Sequence, residues 1–288
     1  MKKYLKKMII VFIFLSGLSL LLYPLISNQW NDYRQKQLIT GYDKTVKEAQ
    51  QAGRIDYEEE WKKARAYNEA LLPAILPDSF AVAASSEEPD REYMSCLNLT
   101  GDGMMGYVEI PVINVKVPIY HYTTDESLEK GAGHLFGSSL PVGGESTHAI
   151  LSAHRGLPSA KLFTDLNLVE EGDIFYLHIL NQTLAYEVDQ IQTVLPDQTE
   201  SLAIEEGKDY VTLVTCTPYA VNTHRLLVRG HRTTVEAAKE AQKSEKKVSG
   251  ATNPSLPMIL LCVVIGIVIA AVLVTVINSV QNKKRRRK

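Results

Sequence analysis

Cysteine is scarce in this chain: 288 residues contain three, Cys96, Cys216 and Cys262. Cys262 sits inside an apolar run, which leaves Cys96 with Cys216 as the one conceivable pair and excludes a disulfide-stapled scaffold. Six of the seven histidines, His121, His134, His148, His178, His224 and His231, include no pair with ligand-like spacing on a helix, so no metal is expected; no other cofactor is expected either. No internal repeat is present. Carboxylates are missing from both ends. Four Lys precede the first apolar run and six basic residues follow the second, so 21 Lys and Arg face all 33 Asp and Glu between them, a net charge of −12. The total of −2 hides this asymmetry, and a domain so acidic repels nucleic acid.

Met8 to Ile26 is almost uninterrupted apolar sequence preceded by Lys2, Lys3, Lys6 and Lys7, and Leu256 to Ile277 is a second run followed by Lys283 to Lys288. Each is long enough to cross a bilayer. The first fits either a cleaved signal peptide or a retained anchor, and the lack of a small-x-small cleavage site around Tyr23 to Ile26 favours the anchor. Basic flanks stay cytoplasmic, so the uncleaved chain is expected to be a two-pass membrane protein with its middle on the extracellular face. The terminal basic cluster then reads as a topology determinant.

The expected organisation is a first membrane segment (1–27), an extracellular helical segment (28–72), a loop (73–100), a β-rich domain (101–232), a charged stalk (233–255), a second membrane segment (256–278) and a basic cytoplasmic tail (279–288). In the helical segment Tyr57, Trp61, Ala64, Asn68 and Leu71 recur at three-to-four-residue steps, and Gly53 marks a break between two helices. Leu72 to Thr100 holds Pro73, Pro77 and Pro89 among acidic residues without sustained periodicity; so long a loop is a linker or a lid.

From Gly106 to about Arg232 short runs rich in Val, Ile, Tyr and Thr alternate with turn residues: Gly106 to Ile110, Val115 to Tyr120, Thr147 to Ser152, Ile174 to Ile179, Leu184 to Val188, Tyr210 to Thr215 and Arg225 to Val228. They predict a mainly β fold, a closed or nearly closed barrel. The stalk is predicted helical near Val235 to Lys243.

The chemistry concentrates in Thr212-Leu-Val-Thr-Cys216-Thr-Pro218, followed nine residues after the cysteine by Arg225, with His154 upstream in Ser152-Ala-His154-Arg-Gly156. A thiol and a permanent cation at the ends of two β-rich segments, plus a group able to move protons, are the parts of a cysteine acyl-transfer site. Amide cleavage by a thiol needs the thiolate, a proton donor for the leaving amine and donors for the tetrahedral oxyanion. Cys216, His154 and Arg225 match these in turn. The planar fork of Arg225 suits an oxyanion or a peptide carbonyl, and both roles stay open. No carboxylate that would orient His154 is identifiable. Cys96 and Cys262 read as packing residues, and His121, His134, His148, His178, His224 and His231 as packing or surface residues.

The order of His154, then Thr212-Leu-Val-Thr-Cys216, then Arg225, with a membrane anchor and Gly106-Tyr-Val-Glu-Ile-Pro111 opening the barrel, resembles the sortases, surface-protein transpeptidases of Gram-positive bacteria. The likeness runs over roughly Tyr57 to Arg232 and implies a sortase-type closed β-barrel of about eight strands, with N-terminal helices and a transmembrane helix at each end. The second membrane run, and the helix through Tyr67 and Asn68 leading into a loop, resemble class C, the pilin-polymerising sortases. Class C enzymes carry an Asp-Pro-aromatic lid, which Asp78-Ser79-Phe80 would match here with Ser in place of Pro. In such a lid Asp78 would face Arg225 and Phe80 would cover Cys216.

The resemblance implies that Cys216 attacks the Thr–Gly bond of a Leu-Pro-x-Thr-Gly-like sorting signal, His154 protonates the leaving Gly amine, and a pilin Lys resolves the thioester. Pilin subunits and sorting-signal peptides are then the partners; a cell-wall peptide, as in a housekeeping sortase, is the alternative acceptor. Thr215, and Leu202, Ala203 and Ile204 in the segment Gln190 to Lys208, are the expected signal contacts. Papain-like peptidases place Cys before His, and transpeptidases of the L,D class set Arg within two residues of Cys, so neither order fits. A non-enzymatic surface protein would need Leu-Pro-x-Thr-Gly before its apolar tail, and Asn253-Pro-Ser-Leu-Pro257 is no match.

Overall fold

The computed structural model describes residues 2–53, 55–71, 90–157 and 159–245, and the chain divides into a terminal unit, residues 1–27 with 249–288, and a central unit, residues 28–248. The β-rich stretch forms eight strands: β1 Met104–Ile110, β2 Val115–His121, β3 Ala132–His134, β4 Thr147–Ser152, β5 Ile174–Ile179, β6 Gln182–Val194, β7 Asp209–Thr217 and β8 His224–Thr233. They close in the order β1-β2-β3-β4-β7-β8-β6-β5. Closure leaves no unpaired sheet edge.

All seven strands expected from the pattern form, and the eighth, β3, lies where none was expected. It is three residues of Ala-Gly-His, too short for an alternation to register, and its parallel pairing with β2 is reached through the short helix α4, Asp125–Lys130, capped by the Thr124 hydroxyl. Inside the barrel Val108, Ile119, Leu151, Phe175, Leu177, Tyr186, Leu213 and Val228 form one apolar core. Gly230 on β8 belongs to that core by omission: a Cβ there would stand 2.6 Å from the Phe175 ring. A bulge in β6 leaves Asp189 without a β8 partner, and its carboxylate takes the Arg229 guanidinium at 3.0–3.1 Å.

Two helices precede the barrel, α1 Lys2–Gln51 and α2 Tyr57–Ala70, separated by the expected break around Gly53. Asp56 caps α2 by accepting the backbone N–H groups of Glu58 and Glu59. Tyr57, Trp61, Ala64 and Asn68 are its buried face. Polar contacts fix both helices on the barrel. The Tyr42 hydroxyl donates to Met105 O at 2.8 Å and accepts from Leu180 N at 2.9 Å. Trp61 Nε1 donates to Asn181 Oδ1, and the Asn68 amide exchanges bonds with the backbone of Leu140. Burying a ring such as Trp61 contributes on the order of 2–3 kcal/mol, and these bonds set its orientation.

Residues 90–100, expected as loop, contain the five-residue helix α3, Arg91–Ser95, whose Tyr93 is fully buried against His121, Tyr122, His134 and Phe136. A single turn is shorter than any helical periodicity, so aromatic packing rather than pattern forms it. The stalk begins as helix α5, Val235–Glu245, and does not stand clear of the barrel: Ala238 is buried with Ile174, Tyr176 and Ala185.

Among the described residues no single helix is long and apolar enough to cross a membrane. Val11–Leu20 with Leu22–Gln51, bent by 41°, passes that test only as a pair. The expected span over 8–26 therefore rests on composition, and the run from Leu256 to Ile277 lies outside the described residues, as do Asp78 and Phe80.

Candidate active site

Strand order places the three candidate residues. β4, β7 and β8 are neighbours in the barrel, and His154, Cys216 and Arg225 fall at the same end of them. Cys216 pairs with Arg225 across the antiparallel β7/β8 ladder. The parallel β4/β7 ladder runs from Thr147 opposite Asp209 to Ser152 opposite Val214. Beyond the end of β4 the same offset of 62 residues persists in two side-chain bonds, from Thr215 Oγ1 to Ala153 O and from Arg155 Nη1 to Thr217 Oγ1. The residues flanking His154 are thereby bonded to the residues flanking Cys216.

Cys216 is half-buried and not in a disulfide, whereas Cys96 is fully buried with its thiol donating to Glu92 O. Burial pushes the Cys96 thiol up, which marks it as an inert packing residue. Arg225 is half-buried and donates from Nη1 to the carbonyls of Asn222 and His224, both at 3.2 Å. These bonds aim the guanidinium across the turn that follows Cys216.

His154 is half-buried, and desolvation lowers its pKa below 6.5, opposed by the negative charges of Asp125 and Glu129. Both carboxylates sit on α4, in the connection that leads to β3. The sequence singles out no carboxylate for His154 because these two lie about thirty residues upstream; only the α4–β3–β4 path brings their field to the imidazole. At neutral pH the ring is neutral and can accept a proton. Its loop turns at Gly156, where φ is +83° and a Cβ would meet the Tyr219 ring at 2.9 Å. Only glycine supplies that conformation beneath the aromatic ring of the β7–β8 turn.

The expected signal contacts are placed unevenly. Thr215 is fully buried with its hydroxyl committed to Ala153 O. Leu202 is 5% exposed, packed with Leu135, Ile150, Val214 and Leu227, and so presents almost no surface to a peptide in this conformation. Ala203 is exposed and Ile204 half-buried. His148, read as a packing residue, holds this segment down. Its Nδ1 donates to Ala203 O at 2.9 Å and its Nε2 accepts from the Thr212 hydroxyl at 2.7 Å, and burial lowers its pKa to about 4. Arg229 adds a second hold through Glu205 at 3.4 Å. The run from Gln190 to Lys208 does not by itself announce these anchors, because the partners, His148 and Arg229, lie on β4 and β8.

A barrel presenting a thiol, an imidazole and a guanidinium at one end of three adjacent strands is the scaffold of a cysteine acyl-transfer enzyme, and the comparisons name the family. Residues 108–233 match the model of the Sortase domain. Sortase A of Bacillus anthracis is 28% identical over 160 residues, 56% of this chain and 74% of that protein. Two solved structures are more alike. Sortase C of Streptococcus pneumoniae is 45% identical with a TM-score of 0.58, covering 69% of this chain and 97% of that one. Sortase C-1 of Actinomyces oris is also 45% identical with a TM-score of 0.58, covering 62% and 98%. The chain belongs to the sortase family, whose members are cysteine transpeptidases, and its structural neighbours include sortases C, that of Streptococcus pneumoniae being described with a pilin substrate specificity.

Proposed function

We propose that this protein is a membrane-anchored pilin sortase, with its barrel outside the cytoplasmic membrane, which cleaves a Leu-Pro-x-Thr-Gly-like signal through a thioester on Cys216 and transfers it to a pilin lysine. The observation that carries the reading is the placement of His154 just past the end of β4, at the same end of the barrel as Cys216 on β7 and Arg225 on β8. The class C neighbours favour pilin as substrate, and the two apolar runs with basic outer flanks favour a two-pass anchor.

In this mechanism neutral His154 accepts the thiol proton as the sulfur attacks the Thr carbonyl carbon of the signal. Arg225 donates to the oxygen that becomes negative, or to the neighbouring peptide carbonyl. Collapse of the tetrahedral intermediate breaks the Thr–Gly bond, and the imidazolium passes its proton to the departing Gly amine. The lysine amine then attacks the thioester carbonyl, giving up its proton through His154 to the leaving thiolate. The products are an isopeptide bond and the restored thiol. On this reading Asp78 and Phe80, which lie outside the described residues, would serve as the lid that the resemblance implies.

The curated relatives include sortases A, so a cell-wall peptide as acceptor is the competing assignment. Full-length protein incubated with a labelled Leu-Pro-x-Thr-Gly-type peptide and two competing amines, a pilin-derived lysine peptide and a cell-wall stem peptide, decides between them. Preferential lysine adducts support the proposal; preferential stem-peptide adducts, or no amine transfer at all, overturn it.

A further inference from the structure

Arg155 directly follows His154, and its guanidinium makes three directed bonds. Nη1 reaches Thr217 Oγ1 at 2.9 Å, Nε reaches Thr164 O at 3.1 Å, and Nη2 reaches Asn167 Oδ1 at 2.8 Å. Among the described residues no carboxylate forms an ion pair with it; all three acceptors are uncharged oxygens. Such an arrangement supplies little Coulomb stabilisation and considerable geometric definition, because a planar fork fixes three acceptors at set angles. Thr217 is the residue after Cys216. The bond therefore joins the far side of the His154 loop to the far side of the nucleophile.

Its counterpart lies one step back, where Thr215 Oγ1 bonds Ala153 O at 2.7 Å. Between these two cross-links sit His154 and Cys216, and nothing in the strand ladder itself spans them, since β4 ends at Ser152. The rest of the loop is fastened to the same segment: Gly156 N donates to Thr164 Oγ1 at 3.1 Å and Phe163 N to His154 O at 3.2 Å.

We propose that Arg155 is a positioning residue for transpeptidation, which through Thr217 holds the His154 loop at the distance and angle from Cys216 that proton transfer requires. The proposal rests on the assignment of Cys216 and His154 given above. Proton transfer between two heavy atoms tolerates little displacement, and a misplacement of about 1 Å costs as much as a hundredfold in rate. Sorting-signal binding does not depend on the tie, so the loss falls on kcat and not on KM.

The test uses the full-length chain with a Leu-Pro-x-Thr-Gly-type peptide and an amine acceptor, and compares Arg155→Lys, Thr217→Val, Thr217→Ser and the Arg155→Lys/Thr217→Val double variant. Arg155→Lys keeps the charge and loses the fork; Thr217→Val keeps the shape and loses the acceptor. Each is expected to lower kcat roughly ten- to a hundredfold with KM within about twofold of the parent. Thr217→Ser, which keeps the hydroxyl, is expected to retain parent kcat, and the double variant to be no slower than the slower single one, because both changes cut the same tie.

If Arg155→Lys does not fold, the near-isosteric Thr217→Val carries the test alone. Parent-like kcat in folded Thr217→Val, or single effects that multiply in the double variant, overturns the proposal. Cys216→Ala, run alongside, separates the two levels. An inactive Cys216→Ala with fully active tie variants sinks only the role of Arg155, while an active Cys216→Ala sinks the nucleophile assignment beneath it.

Discussion

The buried hydroxyl of Thr215 donates to the carbonyl of Ala153 at 2.7 Å, and so pins the strand that carries Cys216 to the residue before His154. Its side chain is committed inside the protein, although its place beside the cysteine suggests a contact with substrate. Thr215→Val removes the donor at constant volume and leaves a buried carbonyl unpaired, at a cost of about 1–3 kcal/mol. The urea midpoint is expected to fall at unchanged slope, with KM for a sorting-signal peptide unaltered. An unchanged midpoint with a raised KM would return Thr215 to the substrate site.

His148 makes stability depend on acidity. Its folded pKa, lowered by burial to about 4 from 6.5, means that the unfolded chain takes up a proton which the folded chain refuses throughout that interval. Stability is whole above pH 6.5 and falls as pH drops towards 4, by up to about 3 kcal/mol from this ring alone. His134, lowered to about 3 by complete burial, acts in the same direction and extends the window further down. His148→Gln is expected to be less stable than the parent at pH 7 and to lose less on acidification to pH 4.5, as read from urea unfolding at both pH values. Parallel pH curves for parent and variant would show that His148 does not titrate on unfolding.

The acid limb of kcat/KM should reflect His154. Desolvation holds this ring below 6.5, so protonation of the free enzyme silences it only below that pH. Asp125 and Glu129 work against desolvation, and Asp125→Asn with Glu129→Gln is expected to move the acid limb further down. Both side chains are exposed, so the shift is small and disappears in about 1 M salt. An upward shift on removing the two carboxylates would contradict the assignment of the limb to His154.

Much of the barrel and its site is legible in the amino-acid sequence. Thr212-Leu-Val-Thr-Cys216, Arg225 and His154 stand out as candidates because a thiol, a cation and an imidazole occur at strand ends, and seven strands follow from alternation and turn residues. β3 and α3 do not, since three residues and one helical turn carry no period. Arg155, Thr217 and the hold of His148 on Ala203 are invisible for another reason. Each bond joins residues 55 or 62 positions apart, and only the parallel β4/β7 register brings them together. Leu202 reads as an open apolar wall because a sequence gives hydrophobicity without direction; the fold turns it inward.

The role of Asp78 and Phe80, which lie outside the described residues, can be tested in solution. As a lid they would keep Cys216 covered for most of the time, lowering apparent affinity by the open fraction. Asp78→Ala with Phe80→Ala is expected to speed labelling of Cys216 by a bulky thiol reagent and to lower thermal stability slightly, a partly exposed pair being worth at most about 1 kcal/mol. Equal labelling rates in parent and double variant would make the segment a linker.

The nucleophile is tested most directly by the intact mass of the full-length protein trapped after brief exposure to a Leu-Pro-x-Thr-Gly-type peptide without acceptor, followed by peptide mapping. The expected species carries the signal fragment ending in Thr as a thioester on Cys216, is discharged by hydroxylamine, and is absent from a folded Cys216→Ala variant. An adduct on any other residue, or turnover by Cys216→Ala above background, would contradict it.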